Sequence, residues 1–148
     1  MVARDRKTVR IGDGWEIDVP GSMAEEREDD NALVLWDERR TIRIKTVTVA
    51  GRRDGSAISA EEMAGDEDAR YRVERSDDVI LELPPQREET IEGERVWTVP
   101  ARAAAPNSVI LAYFHSRSPE DEEWARSTAT SIRHGGERTR VARRSSAE

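Results

Sequence analysis

The chain contains no cysteine, and that one absence removes disulfides, thiolate nucleophiles, zinc–thiolate sites and iron–sulfur clusters while saying nothing about compartment. Lysine is nearly missing too: Lys7 and Lys45 are the only two among 24 basic residues, the rest being arginine. That bias fits a GC-rich genome at least as well as a need for bidentate anion recognition. No apolar run approaches the roughly 20 residues of a membrane-spanning helix, and Met1–Lys7 is too polar for a secretory signal. The expectation is a bacterial-type, cytoplasmic protein with no membrane partner. An excess of positive charge is also lacking. The net charge of −7 disfavours nucleic acid, whose phosphates need a basic face.

What remains is 36 % hydrophobic and 37 % charged, with the apolar residues gathered in short blocks. The 148 residues suit one domain with its own core. The block at 109–114 (Val-Ile-Leu-Ala-Tyr-Phe) is apolar at both parities, which predicts a central strand covered on both faces. It leads into Ser118-Pro119-Glu120-Asp121, a hydroxyl N-cap with proline at N1 and an acid at N3. The spacing of Trp124, Thr128 and Ile132 then predicts a helix over 119–134, with Arg133 and His134 in its last turn and Gly135 as the C-cap. A second helix is predicted near 60–65, opened by the Ser59–Glu62 capping box. It is expected to cover part of the other sheet face.

The remaining elements are mostly strands. Val9–Ile11, Trp15–Val19 and the charged stretch Met23–Glu28 lead to Ala32–Trp36, the turn 37–40 and Thr41–Val49. In the last of these the apolar positions change parity from Ile42 and Ile44 to Val47 and Val49. A bulge near Lys45–Thr46, or burial of both faces, would reconcile them. Further on, 69–75 leans to strand, Val79–Leu83 reads as strand closed by Pro84-Pro85, and Glu88–Ile91 with Glu94–Ala101 forms a hairpin about Glu92-Gly93. Pro100 must then sit where no ladder N–H is required. Strands in runs, not in strict alternation with helices, indicate an α+β domain over residues 8–135. It is expected to be an antiparallel meander of about six or seven strands with helices packed on its faces in an α/β/α sandwich. Residues 1–7 and the arginine-rich 136–148 are expected to be disordered.

Gly-Trp-Glu-Ile-Asp-Val-Pro at 14–20, the meander, a helix after the fourth strand, and Leu111-Ala112-Tyr113-Phe114 followed by Ser118-Pro119-Glu120-Asp121, Trp124-Ala125 and Ser131-Ile132-Arg133 together resemble the PsbP/Mog-like group of α+β folds. That group includes extrinsic photosystem II subunits, a Ran-GTPase-binding import factor and chaperones for secreted bacterial effectors. The resemblance implies a non-enzymatic protein-binding module, and it carries no functional residue over to this chain.

Residues that bear chemistry do not assemble into a reaction signature. His115 and His134 lack HxH or HExxH partners, so no metal site is predicted. His115 reads as the end of a strand and His134 as a helix cap. The acidic cluster Glu61, Glu62, Asp66, Glu67 and Asp68 lacks EF-hand spacing and reads as a solvated helix end. There is no nucleophile elbow, P-loop or dinucleotide fingerprint, so no cofactor is expected. Arg39, Arg40, Arg43 and Lys45 form a candidate basic strip on the first hairpin, either a docking surface for an acidic protein or edge charges that block aggregation. Of the four tryptophans (15, 36, 97, 124), Trp36 is the one expected to be partly exposed. The leading expectation is thus a protein-binding adaptor or chaperone-like module, or a self-associating homodimer, acting through Trp36, Arg39, Arg40, Arg43 and Lys45. The alternative is a small-molecule binder or hydrolase whose cavity, between sheet and helix, would be lined by Trp97, Tyr113 and His115.

Overall fold

The computed structural model describes residues 5–64, 72–74 and 79–135. Of the disorder expected of 1–7 and 136–148, residues 1–4 and 136–148 lie outside them, as do Asp66, Glu67 and Asp68 of the acidic cluster and positions 69–71 and 75 of the strand expected over 69–75. Eleven strands form two antiparallel sheets among the described residues. The small sheet has the order β1 (Arg6–Gly12), β2 (Trp15–Pro20), β11 (Arg133–His134). The large sheet runs β3 (Ala24–Asp29), β4 (Ala32–Trp36), β5 (Arg40–Thr48), β10 (Ser108–Ser116), β9 (Glu94–Ala105), β7 (Ile80–Glu82), β6 (Arg72–Glu74). β8 (Arg87–Ile91) pairs the same edge of β9 as β7 does. The helices are short: α1 spans Ala60–Ala64 and α2 Glu122–Ala129, the latter entered through a 3-10 turn at Pro119–Asp121.

β10 is central, as its composition predicts, with β5 and β9 paired along its whole length, but it is not covered on both faces as expected: outward Val109 lies under α1, whereas Leu111, Tyr113 and His115 are half-exposed. Its inner side chains Ile110, Ala112 and Phe114 meet Ile42 and Ile44 of β5 and Val99, Ala101 and Ala103 of β9 in one buried core. The small sheet lies over that core with Val9, Ile11, Trp15, Ile17 and Val19, and α2 adds Ala125 and Ala129. The alanines of β9 are small enough to let a helix approach the sheet closely. The indole N–H of Trp15 donates to Ser108 Oγ (2.8 Å), a buried bond that ties the two sheets together.

The local turn chemistry is as expected. Glu92 and Gly93 both take positive φ (52° and 83°), the conformation of a two-residue hairpin. Pro100 falls between the stretches of β9 that pair β8 and β7. Ser59 Oγ accepts from the Glu62 N–H (3.2 Å) and Glu62 Oε1 accepts from the Ser59 N–H (3.4 Å), a complete capping box.

Five further expectations need correction. The layered α/β/α sandwich of about six or seven strands is instead sheet-dominated, with eleven strands among the described residues, because one side of the large sheet is covered mainly by a second sheet and the other only in part by α1, which follows the fifth strand. The predicted helix 119–134 ends at Ala129. Thr130 and Ser131 turn their hydroxyls onto the carbonyls of Ser127 and Thr128, and Ser131 Oγ also accepts the Asp18 N–H at 3.0 Å, so local side-chain bonds replace the helical ladder. His134 accordingly caps no helix; with Arg133 it forms β11, pairing β2, and its Nε2 lies 2.8 Å from the Asp13 carbonyl. β1 begins at Arg6, three residues before the expected start, where Lys7 Nζ donates to the Met23 carbonyl (2.7 Å). Finally, β5 pairs β10 without a bulge, so Thr46 is buried and Val47 stands exposed on the opposite face.

Candidate docking face

Alternation along β10 sends Leu111, Tyr113 and His115 to the face away from α2 and the small sheet. Register adds Thr41, Arg43, Lys45 and Val47 from β5, Ala32, Val34 and Trp36 from β4, and Thr98, Pro100 and Arg102 from β9. α1 covers one end only, packing Ala60 and Ala64 against Ile80, Ala104 and Val109. Beyond α1 the face is partly open: Val34, Leu111, Tyr113 and His115 are half-buried, and Thr98 is buried against Glu89 and His115. Trp36 is 37 % exposed and Val47 41 %, two of the four large apolar side chains that stand in solvent among the described residues. The central cations are exposed as well: Arg43 and Lys45 flank the Tyr113–Leu111 column, a positive patch on a chain of net charge −7.

The five residues singled out from the sequence do not form one surface. Trp36, Arg43 and Lys45 share the open face. Arg39 lies in the turn that Asp37 closes by accepting the Arg39 and Arg40 N–H groups (2.8 Å each). Arg40 is of the other parity. Its guanidinium stacks over the Trp124 ring at 4.4 Å from the centroid, and Trp124 in turn meets Phe114 edge-on at 6.1 Å. A depression of about 650 Å³ at the rim of the open face is lined by Ser22, Ala24, Trp36, Asp37, Glu38, Arg39 and Arg40. The structure likewise separates the residues of the alternative cavity, because Trp97 pairs Ser116 on the inner face whereas Tyr113 and His115 point outward. The surface of α2 that meets the sheet is filled by Ala125, Thr128 and Ala129, all buried.

Sequence reading overlooked one constellation. Thr98, fully buried on β9, donates to Glu89 Oε1 of β8 (2.8 Å), and His115 Nδ1 of β10 stands 2.9 Å from the same hydroxyl. Arg87 Nε donates to Glu89 Oε2 (2.7 Å), and Tyr113 stacks near-parallel to the His115 ring. The Thr98 bond, with Arg87 in support, holds the Glu89 carboxyl below its ordinary pKa. Burial first, and then the Arg43 and Arg87 charges, push His115 below the usual histidine value against the pull of Glu89. No short-range motif links residues 89, 98 and 115; only the adjacency of β8, β9 and β10 brings them together.

Among the described residues no cluster of three histidine or acidic side chains could hold a metal ion, and no helix is long and apolar enough to cross a membrane. No protein-family model matches the chain, and no curated protein matches its sequence. Solved structures do. A protein of Bacteroides thetaiotaomicron determined by crystallography superimposes with a TM-score of 0.58 at 10 % identity, over 88 % of this chain and 48 % of that one. The chain spans about half the length of that neighbour. The likeness is one of fold alone. A cyanobacterial PsbP, CyanoP from Synechocystis, is also among the neighbours, with a TM-score of 0.38 at 10 % identity over 87 % of this chain and 91 % of that one.

Proposed function

We propose that this domain is a non-enzymatic binding module that docks a partner protein on the open face of its large sheet. The observation that carries the reading is the uncovered strip of Trp36, Val34, Tyr113, Leu111 and Val47 with Arg43 and Lys45 at its centre. It combines aromatic anchors with two exposed cations. Charge complementarity selects the occupant: a protein surface that is acidic around an apolar centre. A second copy of this chain fits poorly, because a two-fold contact through this face would set Arg43 and Lys45 against their own equivalents. The cytoplasm is the proposed setting.

Comparative capture tests this. Tagged wild-type domain, an Arg43→Glu/Lys45→Glu variant and a Trp36→Ala variant are used as baits, with Arg95→Glu, on the β8–β9 hairpin, as a control for charge reversal away from the open face. The proposal expects a stoichiometric partner on wild type and Arg95→Glu that is lost from both face variants and released by salt. A partner held equally by all four baits, or none on any, removes the proposal. A stable homodimer by light scattering would replace it with self-association.

A further inference from the structure

The geometry points to a fixed hydrogen-bond relay, Glu89–Thr98–His115, that locks His115 as the Nδ1–H tautomer and presents its Nε2 on the docking face as a bare acceptor for a hydroxyl or amide donor of the partner. Proton counting fixes the polarity of the relay. An ionised carboxylate can only accept, so the 2.8 Å contact requires the Thr98 hydroxyl to donate its single proton to Glu89. Thr98 oxygen then has only lone pairs to offer the ring nitrogen 2.9 Å away, so Nδ1 must carry the hydrogen. The opposite polarity would place two acceptors in contact, unless Glu89 were protonated, which its depressed pKa opposes at neutral pH.

Nε2 is consequently the unprotonated nitrogen. It has no hydrogen-bond partner among the described residues and is not among the buried polar atoms left unpaired, so it reaches solvent. The groups facing the ring are Arg43 from β5, Glu89 and Arg87 from β8, Thr98 from β9 and Tyr113 from β10 itself. The two arginines oppose protonation and Glu89 favours it, with burial adding to the former, so the acceptor persists at neutral pH. His134 supplies an internal contrast. Its Nε2 meets the Asp13 carbonyl, an acceptor only, and so must carry the hydrogen. The two imidazoles of the chain therefore hold opposite tautomers.

The tautomer does not depend on any partner; the use of Nε2 as an acceptor rests on the docking reading above. Two measurements keep them apart. Long-range ¹H–¹⁵N correlation spectra of the full chain at pH 7.5 should show Nδ1–H for His115 and Nε2–H for His134. Thr98→Val should release His115 toward a mixture containing Nε2–H. An Nε2–H form of His115 in the wild type, or a pattern unmoved by Thr98→Val in a folded variant, overturns the relay. With the captured partner as probe, His115→Leu should weaken binding about 3- to 10-fold, the equivalent of one neutral hydrogen bond, and His115→Gln, whose amide oxygen can accept, should restore it to within about twofold. Equal loss in both variants, or none in either, overturns the acceptor role while leaving the docking proposal to its own test.

Discussion

The bond between Trp15 and Ser108 is the most exacting place to perturb this fold, because it joins the two sheets and both residues are 1 % exposed. In Ser108→Ala the indole N–H keeps its position but loses its acceptor, and a buried unpaired donor costs about 1–3 kcal/mol. Trp15→Phe leaves the Ser108 hydroxyl without its donor and also removes the second ring, so a cavity term adds to the loss and the total should reach about 2–4 kcal/mol. The double variant removes both partners of the bond, so the two losses should not add; a coupling of about 1 kcal/mol is expected from the cycle. Urea unfolding followed by far-ultraviolet circular dichroism measures all four proteins without relying on tryptophan emission. The comparison is valid if the slope is common to them. If Ser108→Ala costs less than about 0.5 kcal/mol and the cycle shows no coupling, the small sheet is not fastened to the large one as described.

Other consequences can be checked in the same way. Arg133 donates to both oxygens of Asp18 (3.0 and 3.1 Å), and this bond, above all, holds the Asp18 carboxyl below its usual pKa. A depressed carboxyl stabilises the fold above its unfolded value, near 4, and that contribution fades as pH falls through the folded value. Asp18→Asn should therefore lose about 1 kcal/mol at pH 7 for this half-exposed pair and show a flatter stability profile in acid; parallel profiles would refute the assignment. His115 acts at higher pH. Its lowered pKa means the unfolded chain binds that proton first, so stability should decline as pH drops through about 6.5, and His115→Gln should remove that part of the slope. Ala103→Leu would force three more carbons into the fully buried inner face of β9, at a cost of about 1–3 kcal/mol in thermal or urea unfolding. Gly21→Ala would set a Cβ 2.6 Å from the Asp5 carbonyl oxygen and should lower the thermal midpoint by several degrees; an unchanged midpoint would show that the Pro20–Gly21 turn yields freely.

The strand content was legible because half-buried strands alternate and turns have their own chemistry. Trp15, Ile17 and Val19 point inward between exposed or half-exposed neighbours, and the Glu92-Gly93 hairpin sits where its residues predict. Helix length was misread because Ser118, Pro119 and the acids after them mark a start reliably, whereas Arg133, His134 and Gly135 imitate a helix stop but lie beyond the true end at Ala129. The hydroxyls of Thr130 and Ser131 bond back onto Ser127 and Thr128 while Ser131 also meets Asp18, 113 residues away; together these end α2 early, and pairing with β2 makes Arg133–His134 a strand. The second sheet was hidden for the same reason, since a two-residue strand has no periodicity to read. Of the proposed docking residues, Trp36, Arg43 and Lys45 were singled out from charge and aromatic content and share one face, but Arg40 could be assigned to its face only from the register of β5. Val47 shows why the parity change in β5 misled: it is an apolar residue left on an open face, not a sign of a bulge.

The central claim, that the open face and not the α2 side meets the partner, is tested most directly by site-specific photo-crosslinking. A benzophenone amino acid would replace Val47 on the open face and, in a separate protein, Ser127 on the exposed flank of α2. Irradiation with the captured partner should yield a covalent adduct from position 47 and none from position 127. Adducts from position 127 alone would place the partner on the opposite side of the domain and contradict the account.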